Sequence, residues 1–313
     1  MRSFGRLRRS LLKLGLAIPY LSMASREAEA RQPQLDRATG RRLLEDARAW
    51  GVQYQKVDIN LLVSSPLDLL VLDPSLNDAA RRFISRQEME ALKRKPDGSR
   101  RLVIGYLCIG EADLKRWYWP SQWRSRPPAW VGPDNVNWPG SRVVRYWDPQ
   151  WQDMIVTGSG SILSRIIDMG FDGVLLDRVD AYGDWERQRS SARREMIALV
   201  EKVAQTARRR HPGFLLIPQN AEHIIENARY RDVIDAINKE SLLTGLGGKD
   251  IPNREIDVEW SISRLRVAQD AGVRMLATEY LSDPTLRART QEQLVAWGFL
   301  PFFGVRELDE RPW

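Results

Sequence analysis

The sequence predicts an α/β protein of the (β/α)8 barrel class, with residues 41–313 as a single domain. Three observations predict it. Eight short apolar runs of strand type recur along the chain. Helical patterns lie between most of them, and strands alternating with helices argue for a parallel sheet. Eight such units within roughly 270 residues suit a closed barrel. The competing architecture is an open doubly wound sheet, which usually carries a Gly-rich phosphate turn after its first strand. Here the first strand runs into Gln55-Lys56-Val57-Asp58-Ile59-Asn60, and no dinucleotide or P-loop glycine motif occurs anywhere.

A lead-in helix is predicted from Leu43 to Trp50. The strands follow at Gly51–Gln55, Asp68–Asp73, Leu102–Ile109, Phe171–Asp177, Phe214–Gln219, Val233–Lys239, Val273–Glu279 and Phe299–Val305. Helices are expected at Arg81–Lys95, Pro149–Met169, Ser190–His211, Ile224–Arg231, Val258–Ala271 and Thr285–Ala296. Gly170 and Gly272 stand just past a helix and just before a strand, where glycine stops a helix. The fourth strand is the clearest. Val174 to Leu176 is fully apolar between Gly173 and the cluster Asp177-Arg178-Val179-Asp180, as expected of a parallel strand covered on both faces. Residues 112–148, between the third and fourth strands, are too aromatic and too broken for a connecting helix. They carry Trp117, Tyr118, Trp119, Trp123, Trp130, Trp138, Tyr146 and Trp147. An ordered loop on the catalytic side is expected there, with aromatic faces for sugar rings.

Strand ends after the first are polar. They read Asp73; Glu111 and Asp113; Asp177 and Asp180; Gln219, Asn220, Glu222 and His223; Asn238-Lys239-Glu240; and Glu279-Tyr280. A single Asp after a strand is usually a cap or a loop residue. Several carboxylates gathered at one barrel end cost free energy, which a cationic ligand, a shared proton or a catalytic role can offset. Paired carboxylates beside aromatic walls suit glycoside hydrolysis, where one carboxyl protonates the leaving oxygen and the other attacks or activates water. No metal or other cofactor is expected. The two histidines, His211 and His223, have no metal-ligand spacing; His211 is expected at the surface and His223 near substrate. Cys108 is the only cysteine and is expected as a core thiol, which excludes an internal disulfide.

The formal charge of +7 is concentrated at the N-terminus: Arg2, Arg6, Arg8, Arg9 and Lys13 stand there with no acid, leaving +2 on the rest. The nearly balanced body gives no reason to expect a nucleic-acid partner. Residues 1–24 resemble an export signal, with a basic stretch, an apolar run and Ser22-Met23-Ala24. Arg8-Arg9-Ser10-Leu11-Leu12-Lys13 resembles a twin-arginine motif, so a periplasmic or extracellular protein is expected, without a stable membrane span once the signal is removed. Residues 25–40 read as a linker.

Several stretches, in order, resemble the endo-α-1,4-polygalactosaminidase-like barrels of glycoside hydrolase family 114, once labelled cysteinyl-tRNA synthetase-related. They include Trp50-Gly51-Val52-Gln53-Tyr54-Gln55, Asp68 to Asp73, Ile104 to Glu111 with Tyr118-Trp119, Val144 to Asp148, Gly170 to Asp177 followed by Val179 to Tyr182, Pro218-Gln219-Asn220 and Ile234 to Glu240. The resemblance implies a nucleophile at Asp177 and an acid/base at Glu240, without cofactor. Gly173, Leu175 and Asp177 share one strand face, as do Ala236, Asn238 and Glu240. It further implies an α-1,4-linked, galactosamine-rich polysaccharide as substrate. The expected contacts are Gln55, Asp73, Tyr106, Glu111, Tyr118, Trp119, Trp147, Asp180, Tyr182, Gln219, Asn220 and Glu279, with the carboxylates among them serving the free amines. Two alternatives stay open on the sequence. One is a non-catalytic carbohydrate-binding barrel for an envelope or biofilm polysaccharide. The other is an enzyme for another amino-sugar linkage or glycan modification.

Overall fold

A computed structural model describes residues 35–313; the N-terminal stretch read as an export signal lies outside them. Apolar residues in alternation build eight parallel barrel strands: β1 (Trp50–Gln53), β2 (Leu69–Leu72), β3 (Leu102–Cys108), β4 (Gly173–Asp177), β5 (Leu215–Pro218), β6 (Ala236–Glu240), β7 (Arg274–Glu279) and β8 (Leu300–Phe303). Each overlaps one of the runs expected from sequence. One parity of each strand fills the interior, with Val52, Val71, Ile104, Leu175, Ile217 and Leu276 in a common cluster. The other parity, including Leu70, Val103, Val174, Leu216 and Ile237, packs outward beneath the helices.

The ladders form two pieces. Strands β1 to β5 pair in order, and β6 to β8 pair in order. Between β5 and β6 there is a single bridge, Gln219 to Asn238. Between β8 and β1 a side chain makes the joint: the Trp50 indole N–H donates to the Leu300 carbonyl at 2.9 Å.

The lead-in helix is Arg37–Asp46, capped by Asp36, whose carboxylate accepts from the Thr39 amide at 2.8 Å. Leu44 from this helix plugs the N-terminal end of the interior cluster. Residues 37–40 therefore belong to a helix and not to the expected linker. The helix expected from Arg81 starts only at Arg86, where Ser85 and Glu88 form a capping box. A small hairpin, Ser75–Asn77 with Arg82–Phe83, takes the preceding residues. The long helix expected over Pro149–Met169 is broken into Pro149–Gln152, a wide turn at Asp153–Thr157 and Ile162–Met169. Gly158 ends the turn in extended conformation, and the Ser161 hydroxyl caps the next helix.

The aromatic insertion is a three-stranded antiparallel sheet, Glu111–Asp113, Val131–Asp134 and Ser141–Val144. Its tryptophans bind it to the barrel. Trp130 meets Trp123 edge-on at 5.4 Å and Trp151 at 4.8 Å between ring centres, and the Trp151 indole donates to the Ile109 carbonyl. A second buried joint precedes β3. Arg101 is fully buried and donates to the carbonyls of Leu67, Leu62 and Leu92 at 2.9, 3.1 and 2.8 Å, and also to that of Ser65. His211 is buried at 5% exposure, against the surface position expected for it.

Candidate active site

Inward parity, continued to the C-terminal strand ends, brings Tyr106, Asp177, Gln219 and Glu240 together at the barrel mouth, with Tyr54 and Tyr280 beside them. The Tyr106 hydroxyl donates to Asp177 Oδ2 at 2.6 Å, and the Arg178 amide donates to Asp177 Oδ1 at 2.7 Å. Gln219 joins the two carboxylates. Its Nε2 donates to Asp177 Oδ1 at 3.0 Å and to Glu240 Oε2 at 2.7 Å. One nitrogen at those two distances holds these oxygens within about 6 Å of each other. Asn220 Nδ2 adds a longer donation to Glu240 Oε2 at 3.3 Å, and the Tyr280 hydroxyl meets Glu240 Oε1. Burial pushes the Asp177 carboxyl above its usual pKa, against the Tyr106 hydrogen bond. Burial does the same to Glu240, and the negative charge of Asp177 adds to it.

The backbone turns sharply after each of these strand ends. Arg178, Asn220, Ala221 and Ser241 all have positive φ, between 50° and 68°. Such left-handed residues are costly outside glycine and cluster where structure is held for function. Gly110 lets β3 approach the turn after Asp177: a Cβ there would lie 2.3 Å from the Arg178 carbonyl oxygen and 2.4 Å from Ala181 Cβ. Gly110→Ala is expected to destabilise the fold by about 2 kcal/mol or more through this overlap. Thermal melts check it; a melting point equal to the parent's would contradict the close approach.

Beside Asp177 lies an acidic group clamped by one guanidinium. Arg178 contacts Glu111 at 2.5 Å, Asp180 at 2.9 Å and Asp184 at 2.6 Å. Three carboxylates on one Arg leave the patch net negative. Glu111 is buried, whereas the Asp180 and Asp184 side chains are 37% and 38% exposed. Among the described residues no group of side chains is arranged to hold a metal ion, and no helix is long and apolar enough to cross a membrane.

The profile of glycoside-hydrolase family GH114 matches residues 32–297. The chain belongs to glycoside hydrolase family 114. An uncharacterised protein of Deinococcus radiodurans is 34% identical over 270 residues, spanning 85% of this chain and 83% of that protein. The uncharacterised protein MJ1477 of Methanocaldococcus jannaschii is 30% identical over 281 residues, spanning 83% and 77%. Among solved structures, the glycoside hydrolase domain of PelA from Pseudomonas aeruginosa superposes with a TM-score of 0.63 at 20% identity, over 84% of this chain and 97% of that one. That likeness concerns the barrel fold.

Within this family 114 barrel, several expected contacts sit elsewhere. Asp73 faces inward but is held by Arg116 at 2.5 and 2.9 Å, so its charge is already matched. Glu279 faces outward and is fully buried; it accepts from the Leu243 amide at 2.8 Å and the Thr244 hydroxyl at 2.7 Å, fixing the loop after β6. Gln55 is exposed and donates to the Glu307 carbonyl at 3.1 Å. Trp119 is buried against Trp123 and Trp130. Trp147 has the Arg189 guanidinium 4.4 Å from its ring centre and Trp185 edge-on at 5.1 Å. Tyr182 is 3% exposed, with Arg193 over its ring. Trp119 and Tyr182 therefore pack structure, whereas Trp147 stays half-buried with Arg189 over its ring. Tyr118 stays near the mouth, its hydroxyl accepting from the Asp113 amide at 3.2 Å. His223 is exposed, and its ring lies tilted against that of Trp260 at 4.5 Å between centres.

Two site residues escape the sequence reading. The Tyr54 ring lies 4.3 Å from that of Tyr106, and Tyr280 contacts Glu240. Counting by twos from Val52 and from Leu276 reaches both, and it passes over Gln55 and Glu279. Cys108 shares the inward parity of Tyr106 and is only half-buried, so it faces the mouth rather than the core. Burial and the Asp177 charge push its thiol well above the usual range, which keeps it protonated.

Proposed function

We propose that the chain is an exported, retaining glycoside hydrolase acting on an α-1,4-linked galactosamine-rich polysaccharide, with Asp177 as nucleophile and Glu240 as acid/base. The observation that carries this reading is the single Gln219 nitrogen shared by the two carboxylates. Retaining enzymes hold their carboxyls roughly 5–5.5 Å apart, and inverting ones roughly 6.5–9.5 Å to admit a water. The bridge favours the shorter class. Three N–H or O–H donors on Asp177 oppose the burial that raises its pKa and so support the ionised form a nucleophile requires. A Glu240 pKa raised by burial and by the Asp177 charge suits a general acid.

In the first step an Asp177 oxygen bonds to the anomeric carbon while the glycosidic C–O bond breaks, and the Glu240 proton passes to the leaving oxygen. In the second, Glu240 takes a proton from water, the water oxygen bonds to the anomeric carbon, and the bond to Asp177 breaks. The exposed edges of Asp180 and Asp184 favour a substrate bearing ammonium groups. Export rests on residues 1–24 of the sequence alone. The test is reducing-end release from galactosamine polymers, partly deacetylated against fully N-acetylated, with NMR of the first-formed anomer. Retention and a preference for the deacetylated polymer are expected; inversion, or no cleavage of either polymer, would overturn the reading.

A further inference from the structure

The Gln219 amide can sit in its pocket two ways round, and only one gives the carboxylates donors. With NH2 inward it serves both Asp177 and Glu240. With the oxygen inward, three acceptors would meet without a hydrogen between them. Behind Gln219 stands a buried chain of polar groups. Asn238 Nδ2 donates to Gln219 Oε1 at 3.0 Å, and the Thr278 hydroxyl donates to Asn238 Oδ1 at 3.1 Å. Asn238 and Thr278 are each 1% exposed, so both lie away from bulk solvent. Neither residue bonds to a carboxylate.

We propose that Thr278 and Asn238 are positioning residues that hold Gln219 in its donor orientation and thereby confine the acid proton of Glu240 to Oε1. This rests on the reading of Asp177 and Glu240 as the reacting pair. Glu240 Oε2 receives two amide N–H groups, from Gln219 at 2.7 Å and Asn220 at 3.3 Å, and so has no room for a proton. Oε1 accepts from the Tyr280 hydroxyl, and when Glu240 carries its proton that contact reverses, the phenol oxygen accepting from Oε1. The polarity is set from the rear. Each amide passes it on, because an amide that accepts at its oxygen presents N–H on its other side. Inverting the chain would turn the Thr278 hydroxyl from donor to acceptor towards Asn238.

Other charged or titratable groups surround the pair. Tyr106, Tyr54 and Cys108 face Asp177 from β3 and β1, and Arg178 and Asp180 face it from its own turn. Tyr280 and Lys239 face Glu240. None bonds to Gln219, so substitutions behind Gln219 isolate the relay.

The experiment compares Thr278→Val, Thr278→Ser and Asn238→Asp with the parent, through pH profiles of kcat and KM and a 13C titration of the side-chain carboxyls. Asn238→Asp offers Gln219 only acceptors and turns its NH2 outward. It is expected to lower kcat about 100-fold and to move the acid limb upward. Thr278→Val is expected to lower kcat roughly ten-fold, with KM unchanged and the acid limb displaced in the same direction. Thr278→Ser restores both. Profiles and titrations of Thr278→Val and Asn238→Asp that superimpose on the parent's overturn the relay. A parent without glycosidase activity sinks the proposed function instead, and the titration then decides the relay by itself.

Discussion

Asp177→Asn is expected to leave a folded protein whose turnover has fallen by at least about 10^4-fold, because an amide cannot form the covalent intermediate assigned to the carboxylate. Glu240→Gln is expected to fall by about 10^2- to 10^4-fold on the natural polymer. The two losses differ in kind. A leaving group that needs no proton, such as a nitrophenolate, recovers the first step in Glu240→Gln and recovers nothing in Asp177→Asn. Equal recovery in both, or activity retained in both, refutes the assigned roles. Each substitution preserves shape: the amide nitrogen it introduces can donate to the phenol oxygen that now faces the carboxylate.

The same variants carry a stability signature. Burial raises both carboxyl pKa values above those of the unfolded chain. The folded state then binds protons more readily than the unfolded state, so these groups weaken the fold increasingly as pH rises through the unfolded and then the folded pKa. At pH 7 either amide variant is expected to melt above the parent. That advantage shrinks as pH falls towards the acid range. Melting curves at pH 7 and pH 4 read it directly, and a lower melting point at pH 7 contradicts the burial argument.

The largest structural loss is expected from Arg101→Met. The Arg101 guanidinium closes the carbonyl ends of two helices, Ile59–Val63 through Leu62 and Arg86–Leu92 through Leu92, and it ties the turn before β2 through Ser65 and Leu67. A cation at helix C-termini is favoured by the aligned peptide dipoles. Methionine fills the volume but leaves these buried carbonyls without donors, at about 1–3 kcal/mol for each one that stays unpaired. A total near 5 kcal/mol, or a melting point lower by about 10 °C, is expected. Arg101→Lys does not rescue it, since one ammonium cannot reach a fork of four acceptors. A melting point within about 2 °C of the parent would refute this role.

Much of this architecture is legible in the sequence. The barrel strands announce themselves as short apolar runs, and alternation from Leu175 and Ala236 places Asp177 and Glu240 at the mouth. Residue type alone favours Gln55 and Glu279 over their neighbours, whereas the strand period points to Tyr54 and Tyr280. The remaining misreadings are tertiary. Nothing near Asp73 in sequence announces its pairing with Arg116, 43 positions away. A tryptophan reads the same whether its face is bare or covered, and Trp119 and Trp147 are covered by residues the chain brings in from elsewhere. The interruption before Ile162 follows from Gly158 and Gly160, which lie between the wide turn and the next helix.

The two-piece ladder has a kinetic meaning. Asp177 belongs to the five-stranded piece and Glu240 to the three-stranded one, so the gap between the two proposed catalytic carboxyls is measured across the joint at Gln219 and Asn238. Neither ladder alone holds that gap. Gentle heat or denaturant that loosens the joint would misalign the pair while the strands within each piece keep their neighbours. Inactivation should therefore run ahead of any loss of secondary structure, and a bound oligosaccharide touching both pieces would act as a rivet.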